Sequence, residues 1–176
     1  VQLVLNLVEP QSSGIGGGAF LLAWDAKRGQ LKTYDGRETA PAGAKPDRFL
    51  KADRQPMSFP EAVFGGKSVG VPGVVALMSE VHRQHGKLAW ARLFAPAIRI
   101  ADEGFAVSPR LAWLLRGAGA QAFDATARAY FFDAAGQPHP VGHVLKSPAL
   151  ADTLRRIAAE GPKGFYEGPV AAAIIK

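Results

Sequence analysis

Apolar and polar positions follow three different rhythms along this chain. Residues 1–8, "VQLVLNLV", are apolar on most sides, so periodicity leaves a buried strand and the last turns of a buried helix both open, and Pro10 stops either. "AFLLAWD" and "QLKTYDG" then flank a polar Ala-Lys-Arg-Gly break, and Leu31 and Thr33 alternate with Lys32 and Tyr34. That pattern predicts a hairpin with strands at about 19–25 and 30–36. "DRFLKADRQP" sets Phe49 and Leu50 among charges and predicts a brief helix before Pro56, while the glycine- and proline-rich "MSFPEAVFGGKSVGVPG" reads as loop.

From Gly73 onward the period is helical. In "GVVALMSEVHRQHG" Val74, Leu77, Met78 and Val81 share one face and Gly86 is placed to end the helix. In "LAWARLFAPAIRIADEG" the face of Trp90, Leu93, Phe94, Ala97, Ile98 and Ala101 crosses Pro96, which predicts a kink or two short helices. "SPRLAWLL" and "SPALADTLRRIAAEGP" each begin with a capping serine and a first-turn proline, and the second closes on Gly161 and Pro162. Between them, "ARAYFFDAAGQPHPVGHVL" reads as short extended pieces around an Ala-Ala-Gly turn. No internal repeat or low-complexity tract interrupts the chain.

Composition narrows the class without naming a function. The 176 residues are 48% hydrophobic and 20% charged, enough for one ordinary globular segment. The net charge of +6 is spread among acids, as in "KPDRFLKADR", with no aromatic-interleaved basic stripe, so a nucleic-acid partner is not expected. Without cysteine there are no disulfides or thiolate metal sites, and the compartment stays open. No apolar run is long enough to span a membrane. A start inside an apolar segment and an end at "AAAIIK" read as one segment, 1–176, truncated at both ends.

Four stretches invite chemical readings. Gly14, Gly16 and Ala19 in "QSSGIGGGAF" have dinucleotide-fingerprint spacing, but they lead into a strand pattern rather than the helix whose amides would face a pyrophosphate. "GGKS" (65–68) has the tail of a phosphate loop, with Glu61 where its first glycine belongs. His82 with His85, and His139 with His143, lack an acidic third ligand at a set spacing, so neither metal nor cofactor is expected. Ser12 and Ser13 lack the nucleophile-elbow arrangement and read as hydrogen-bonding residues of the turn. "YDGRETAP" (34–41) is different: Arg37 stands at the end of the second strand, where its planar fork could hold a carboxylate in two hydrogen bonds or could pair with Asp35 or Glu38. Spacing alone leaves both open.

Taken in order, "NLVEPQSSGIGGGAFLLAWD", "YDGRETAPAGA", "GVPGVVALMSEVHRQHGKLAWARLFAPAIRIADEGFAVS" and "GPKGFYEGP" resemble the gamma-glutamyltranspeptidases along nearly the whole chain. The resemblance implies an α+β fold: part of the four-layer αββα sandwich of N-terminal nucleophile hydrolases, this segment mainly helical with a β-hairpin near its N-terminus. It implies a precursor that cleaves itself into large and small subunits, and a freed N-terminal Thr that attacks the γ-glutamyl amide. The acyl-enzyme is resolved by water or by an amino-acid or peptide acceptor. This chain resembles most of the large subunit, beginning late in its first long helix, which would make "VQLVLNLV" helical.

By the same resemblance, the partners are the small subunit and glutathione or another γ-glutamyl compound, with no cofactor. None of Thr33, Thr39, Thr126 and Thr153 matches the family's Thr-Thr-His nucleophile motif, so no catalytic residue is expected in this chain. The Arg of the family's "REMAP"-like motif binds the donor α-carboxylate. "RETAP" carries that role over to Arg37, with Thr39 replacing a common Met. The glycine loop is then expected to pack backbone tightly beside the pocket rather than cradle phosphate. Same-family alternatives are a cephalosporin acylase or a capsule-processing relative; a non-catalytic binding or scaffold homologue is the alternative of another class. The resemblance points to a periplasmic or secreted parent.

Overall fold

The computed structural model describes all of residues 1–176. In chain order its elements are α1 (Gln2–Val8), β1 (Ala19–Asp25), β2 (Gln30–Gly36), α2 (Phe59–Val63), α3 (Val74–His85), α4 (Ala95–Glu103), β3 (Phe105–Ala106), α5 (Pro109–Ala118), α6 (Ala125–Phe131), β4 (Val144–Leu145), α7 (Pro148–Glu160), α8 (Lys163–Tyr166) and α9 (Gly168–Ile174). This is an α+β inventory, chiefly helical, with the hairpin near the N-terminus. Contacts divide it into two compact units, residues 1–15 with 78–176, and residues 16–77.

The larger unit is a helical layer around α7. Ala151, Leu154 and Ile157 recur at helical spacing on α7 and are fully buried, and α4 and α8 pack against that helix. Proline sits in the first turn of α4, α5 and α7, where its missing N–H would have had no helical partner. Pro96 therefore marks where its segment divides: a 3₁₀ turn over Trp90–Leu93 precedes α4, whose first turn holds the proline. Ser108 caps α5 by accepting from the Leu111 N–H at 3.0 Å, whereas the Ser147 side chain makes no such bond before α7. At the other end of α7 the Trp90 indole N–H donates to the Ile157 carbonyl at 2.8 Å, satisfying one of the four acceptors a helix end leaves unpaired. The unit's small sheet pairs β3 with β4 antiparallel, Phe105 opposite Leu145.

The smaller unit holds the hairpin. β1 and β2 pair antiparallel from Ala19 opposite Gly36 to Asp25 opposite Gln30, the register that alternation predicts. Phe20, Leu22, Trp24 and Leu31 leave a stripe of exposed apolar side chains on it.

Three sequence expectations change. The segment 47–56 forms turns rather than a helix: Leu50 bridges Pro56, the Asp53 carboxylate accepts from the Gln55 N–H at 3.0 Å, and Arg54 takes φ +65°, outside the helical region. The segment 57–73 is not all loop, because Ser58 and Glu61 form a reciprocal capping box at the start of α2. The Ser58 hydroxyl and N–H, with Lys51, hold the exposed Glu61 carboxyl down to about 2. "ATARAYF" is the helix α6, capped by Asp124 accepting from the Ala127 N–H at 2.8 Å; the extended reading holds only from Phe132, which bridges Pro138 across the turn.

Candidate functional site

The second strand of the hairpin delivers Arg37. Its backbone N–H donates to the Asp35 carboxylate at 2.9 Å, which fixes the chain where β2 ends. Its guanidinium pairs with Glu38 at 3.0 Å, reaches the Gly18 carbonyl at 3.4 Å, and lies 5.9 Å from the centre of the Phe20 ring. Of the two acids flanking it in sequence, Glu38 is thus the ionic partner, and Asp35 serves the backbone. The Arg37 side chain keeps 52% of its surface exposed.

Glycines make this placement possible by close approach. A Cβ on Gly18 would fall 2.6 Å from the Gly36 carbonyl oxygen and 2.7 Å from the Arg37 Cα. One on Gly73 would fall 2.3 Å from the same Gly36 oxygen and 2.9 Å from the Arg37 oxygen. These are backbone atoms with no side-chain rotamer to yield. On the far side of Glu38, Thr39 and Val71 exchange two backbone hydrogen bonds, at 3.4 and 2.8 Å, so "VGVP" clamps "RET".

The same region disposes of both phosphate readings. The Gly17 carbonyl accepts from the N–H groups of Gly73 and Val74 at 3.0 and 3.1 Å, so the glycine loop offers an acceptor to the start of α3 rather than its own amides to an anion. In "GGKS" the Arg48 guanidinium gathers the carbonyls of Lys67 and Gly66 at 2.6 and 3.1 Å, and the Ser68 hydroxyl donates to those of Val63 and Gly65 at 2.7 and 3.2 Å. Carbonyls point inward here, where a phosphate would need N–H groups.

Ser13, in the larger unit, accepts from the Gln2 amide at 2.8 Å and donates to the Asn6 carbonyl oxygen at 3.0 Å. Neither partner is a base able to activate a nucleophile. His82 bonds the Leu88 carbonyl at 2.8 Å and sets its ring edge against Trp90. No group of three or more His, Cys, Asp or Glu side chains comes together as a metal site.

His139 and His143 stack face to face, ring centres 3.9 Å apart and planes 6° from parallel. Partial burial, then the neighbouring His143, push the His139 pKa below its ordinary 6.5, with Asp133 opposing. Because the unfolded chain binds the proton more readily, the stack contributes stability above about pH 6.5 that is lost as pH falls through the lowered folded-state value. The melting temperature should therefore fall between pH 7 and 5, and His139→Gln should flatten that slope. An identical slope in the variant would show that the stack does not contribute.

The residues that sequence reasoning missed border Arg37. Arg37, Glu38, Thr39, Lys45, Arg48 and Lys67 are among the lining of one open cavity of about 580 Å³. The signal for it was distributed: "GAKPDR" and "GGKS" are each unremarkable polar turns, and only the fold brings them to the exit of β2.

The chain belongs to the gamma-glutamyltranspeptidase family, whose model matches residues 1–176. It is 36% identical over 176 residues to glutathione hydrolase 3 of Arabidopsis thaliana, covering all of this chain and 27% of that protein. Its fold is similar to the crystal structure of the Helicobacter pylori gamma-glutamyltranspeptidase, with a TM-score of 0.91 and 33% identity over 98% of this chain and 49% of that one. It is also similar to the cephalosporin acylase of Bacillus halodurans, with a TM-score of 0.78 and 32% identity over 98% of this chain and 32% of that one. The chain thus spans about a quarter of the length of that curated relative and half or less of these solved chains. No helix is long and apolar enough to cross a membrane.

Proposed function

We propose that this chain is the large-subunit portion of a γ-glutamyl transferase or hydrolase, and that Arg37 binds the α-carboxylate of its donor. One observation carries the reading. Arg37 is fixed by its own N–H, by Glu38 and by Gly18, yet leaves half its side chain exposed at an open cavity. A guanidinium so oriented needs little further ordering to take a carboxylate in two charge-assisted bonds.

The reaction then divides between two polypeptide segments. A Thr freed at the N-terminus of the small subunit attacks the γ-carbonyl, with its own amino group as base. The amine leaves, and water or an amino acid releases the γ-glutamyl group from the acyl-enzyme. Residues 1–176 supply positioning alone. The exposed stripe of Phe20, Leu22, Trp24 and Leu31 supports a partner polypeptide that covers the hairpin, since apolar side chains clustered on one strand pair mark interaction surfaces. The likeness to a cephalosporin acylase supports a same-family alternative with another acyl donor, and the presence of Arg37 in "RETAP" favours the donor with an α-carboxylate.

The test is hydrolysis of a γ-glutamyl anilide. The full parent protein should release the aniline, and purified 1–176 should not, because nucleophile, base and oxyanion donors all lie outside it. A processed parent that leaves the anilide intact would contradict the proposed activity. Turnover by 1–176 alone, persisting through repurification, would contradict the division of labour.

A further inference from the structure

The segment 120–139 is knit to itself. The Arg128 guanidinium donates to the Ala120 and Phe123 carbonyls at 3.1 and 3.0 Å, and the Phe123 ring packs on those of Phe131 and Phe132, with centres 6.0 and 5.3 Å away. Beyond α6 the Asp133 carboxylate accepts from the Ala135 and Gln137 N–H groups at 2.9 Å each, and the His139 N–H closes the turn on the Phe131 carbonyl at 3.0 Å. His143 belongs to a different piece. Its carbonyl accepts from the Val107 N–H at 2.8 Å, and the Gly142 N–H donates to the Val107 carbonyl at 2.9 Å, so both residues extend the β3–β4 ribbon.

The chain passes between the two pieces at two joints, and each holds a glycine in the left-handed region: Gly119 with φ +73° and Gly142 with φ +87°. Glycine takes such angles without the strain a Cβ would bring. The stacked rings of His139 and His143, one from each piece, bridge the pieces between those joints.

Two neutral imidazoles stack readily with centres 3.9 Å apart, but two imidazolium rings held there repel each other. Asp133, on the same turn as His139, is the acid that favours its protonation, against burial and the neighbouring His143. The residues beside the pair add no further acid. Phe131 and Val107, whose backbones hold the two histidines, are apolar, as are Ala106 and Val144 of the ribbon. Arg128 is committed to carbonyls, and burial pushes the Tyr130 phenol up from its ordinary 10, so it stays neutral in acid. Parted rings therefore take protons more readily than stacked ones, and acid favours parting.

We propose that the His139–His143 stack is an acid-released latch: when both rings take up a proton from solvent they separate, and residues 120–139 swing away from the β3–β4 ribbon as a unit, turning at Gly119 and Gly142 with their internal bonds intact. The stack thus governs a local opening as well as contributing to overall stability.

The experiment uses the full parent protein with pairs of nitroxide labels on exposed positions. One pair, Ala134→Cys with Val144→Cys, reads across the stack; the other, Gln121→Cys with Ala134→Cys, lies within 120–139. Electron paramagnetic resonance distances are compared at about pH 7.5 and about pH 5, either side of the ordinary histidine value. Across the stack, a longer distance should grow at least about fivefold in share on acidification, starting from about a few per cent as a minor state, while the inner pair keeps its distance. His143→Phe retains an aromatic ring to stack but takes no proton, so in it the longer distance should not grow with acid. Three results would each overturn the inference: no acid-induced distance in the unmodified parent, its persistence in folded His143→Phe, or a parallel change in the inner pair, which would mean that the segment melts. His139→Phe supplies the same comparison should His143→Phe fail to fold.

Discussion

Replacing Gly73 by alanine is expected to destabilise the protein by about 3 kcal/mol, the upper end of the usual cost of overpacking. The added methyl would meet the Gly36 carbonyl oxygen at 2.3 Å and the Arg37 oxygen at 2.9 Å. Those are main-chain atoms at the end of β2, and relieving the clash means moving the segment that carries Arg37 or breaking the bonds from Gly73 and Val74 to the Gly17 carbonyl. Gly43 is the internal control, because no atom lies within 4 Å of the position its Cβ would take and its φ is not positive. Gly43→Ala should change stability by no more than about 0.5 kcal/mol, with a slight gain from the stiffer unfolded chain. Thermal or denaturant unfolding compares the two. Equal midpoints would mean that the backbone around Arg37 is looser than its geometry indicates.

Loss of the Arg37 guanidinium should cost the parent enzyme about 30- to 300-fold in kcat/KM toward a γ-glutamyl donor. Removing one member of a desolvated charged pair costs on the order of 2–5 kcal/mol. The lower half of that range applies because half of the side chain is exposed in this chain. Arg37→Lys keeps a charge but loses the planar fork, so it should fall between Arg37→Ala and the unmodified enzyme. An Arg37→Lys enzyme as impaired as Arg37→Ala would mean that the shape of the fork matters and charge alone contributes nothing. One as active as the parent would mean that no two-point grip exists.

How much of this was legible in the sequence depends on how local each cause is. The hairpin was readable to the residue because alternation and a polar break act within one strand pair, and the capping Ser108 before α5 and the first-turn prolines of α5 and α7 act within one turn, whereas Ser147 leads into α7 without a side-chain cap. The two missed helices had local signals of the same kind: the Ser58-x-x-Glu61 box before α2 and Asp124 before α6. In α2 the glycines and prolines around it outweighed the cap. At 47–56 the apolar pair Phe49 and Leu50 imitated a helix, while Asp53 turned the chain with its side chain instead.

The site itself was half legible. Arg37 stood out by its place at a strand end, but its choice of Glu38 over Asp35 is a matter of side-chain direction that spacing does not carry. The role of Gly73 is wholly non-local, since it exists only because Gly36 lies against it, and the company of Lys45 and Lys67 is set by loops more than twenty residues apart.

Arg37 either holds the donor α-carboxylate, as proposed, or makes only a structural ion pair with Glu38. The two differ in one measurement: kcat/KM of the parent enzyme and of Arg37→Ala for a γ-glutamyl anilide and for the analogue lacking only the α-carboxylate. If Arg37 grips that group, the substitution lowers activity on the γ-glutamyl donor by about 30-fold or more, and changes activity on the analogue by no more than about threefold, because the analogue has nothing for the guanidinium to hold. If Arg37 only braces Glu38 and the end of β2, both donors lose by the same factor, and that result would contradict the assignment.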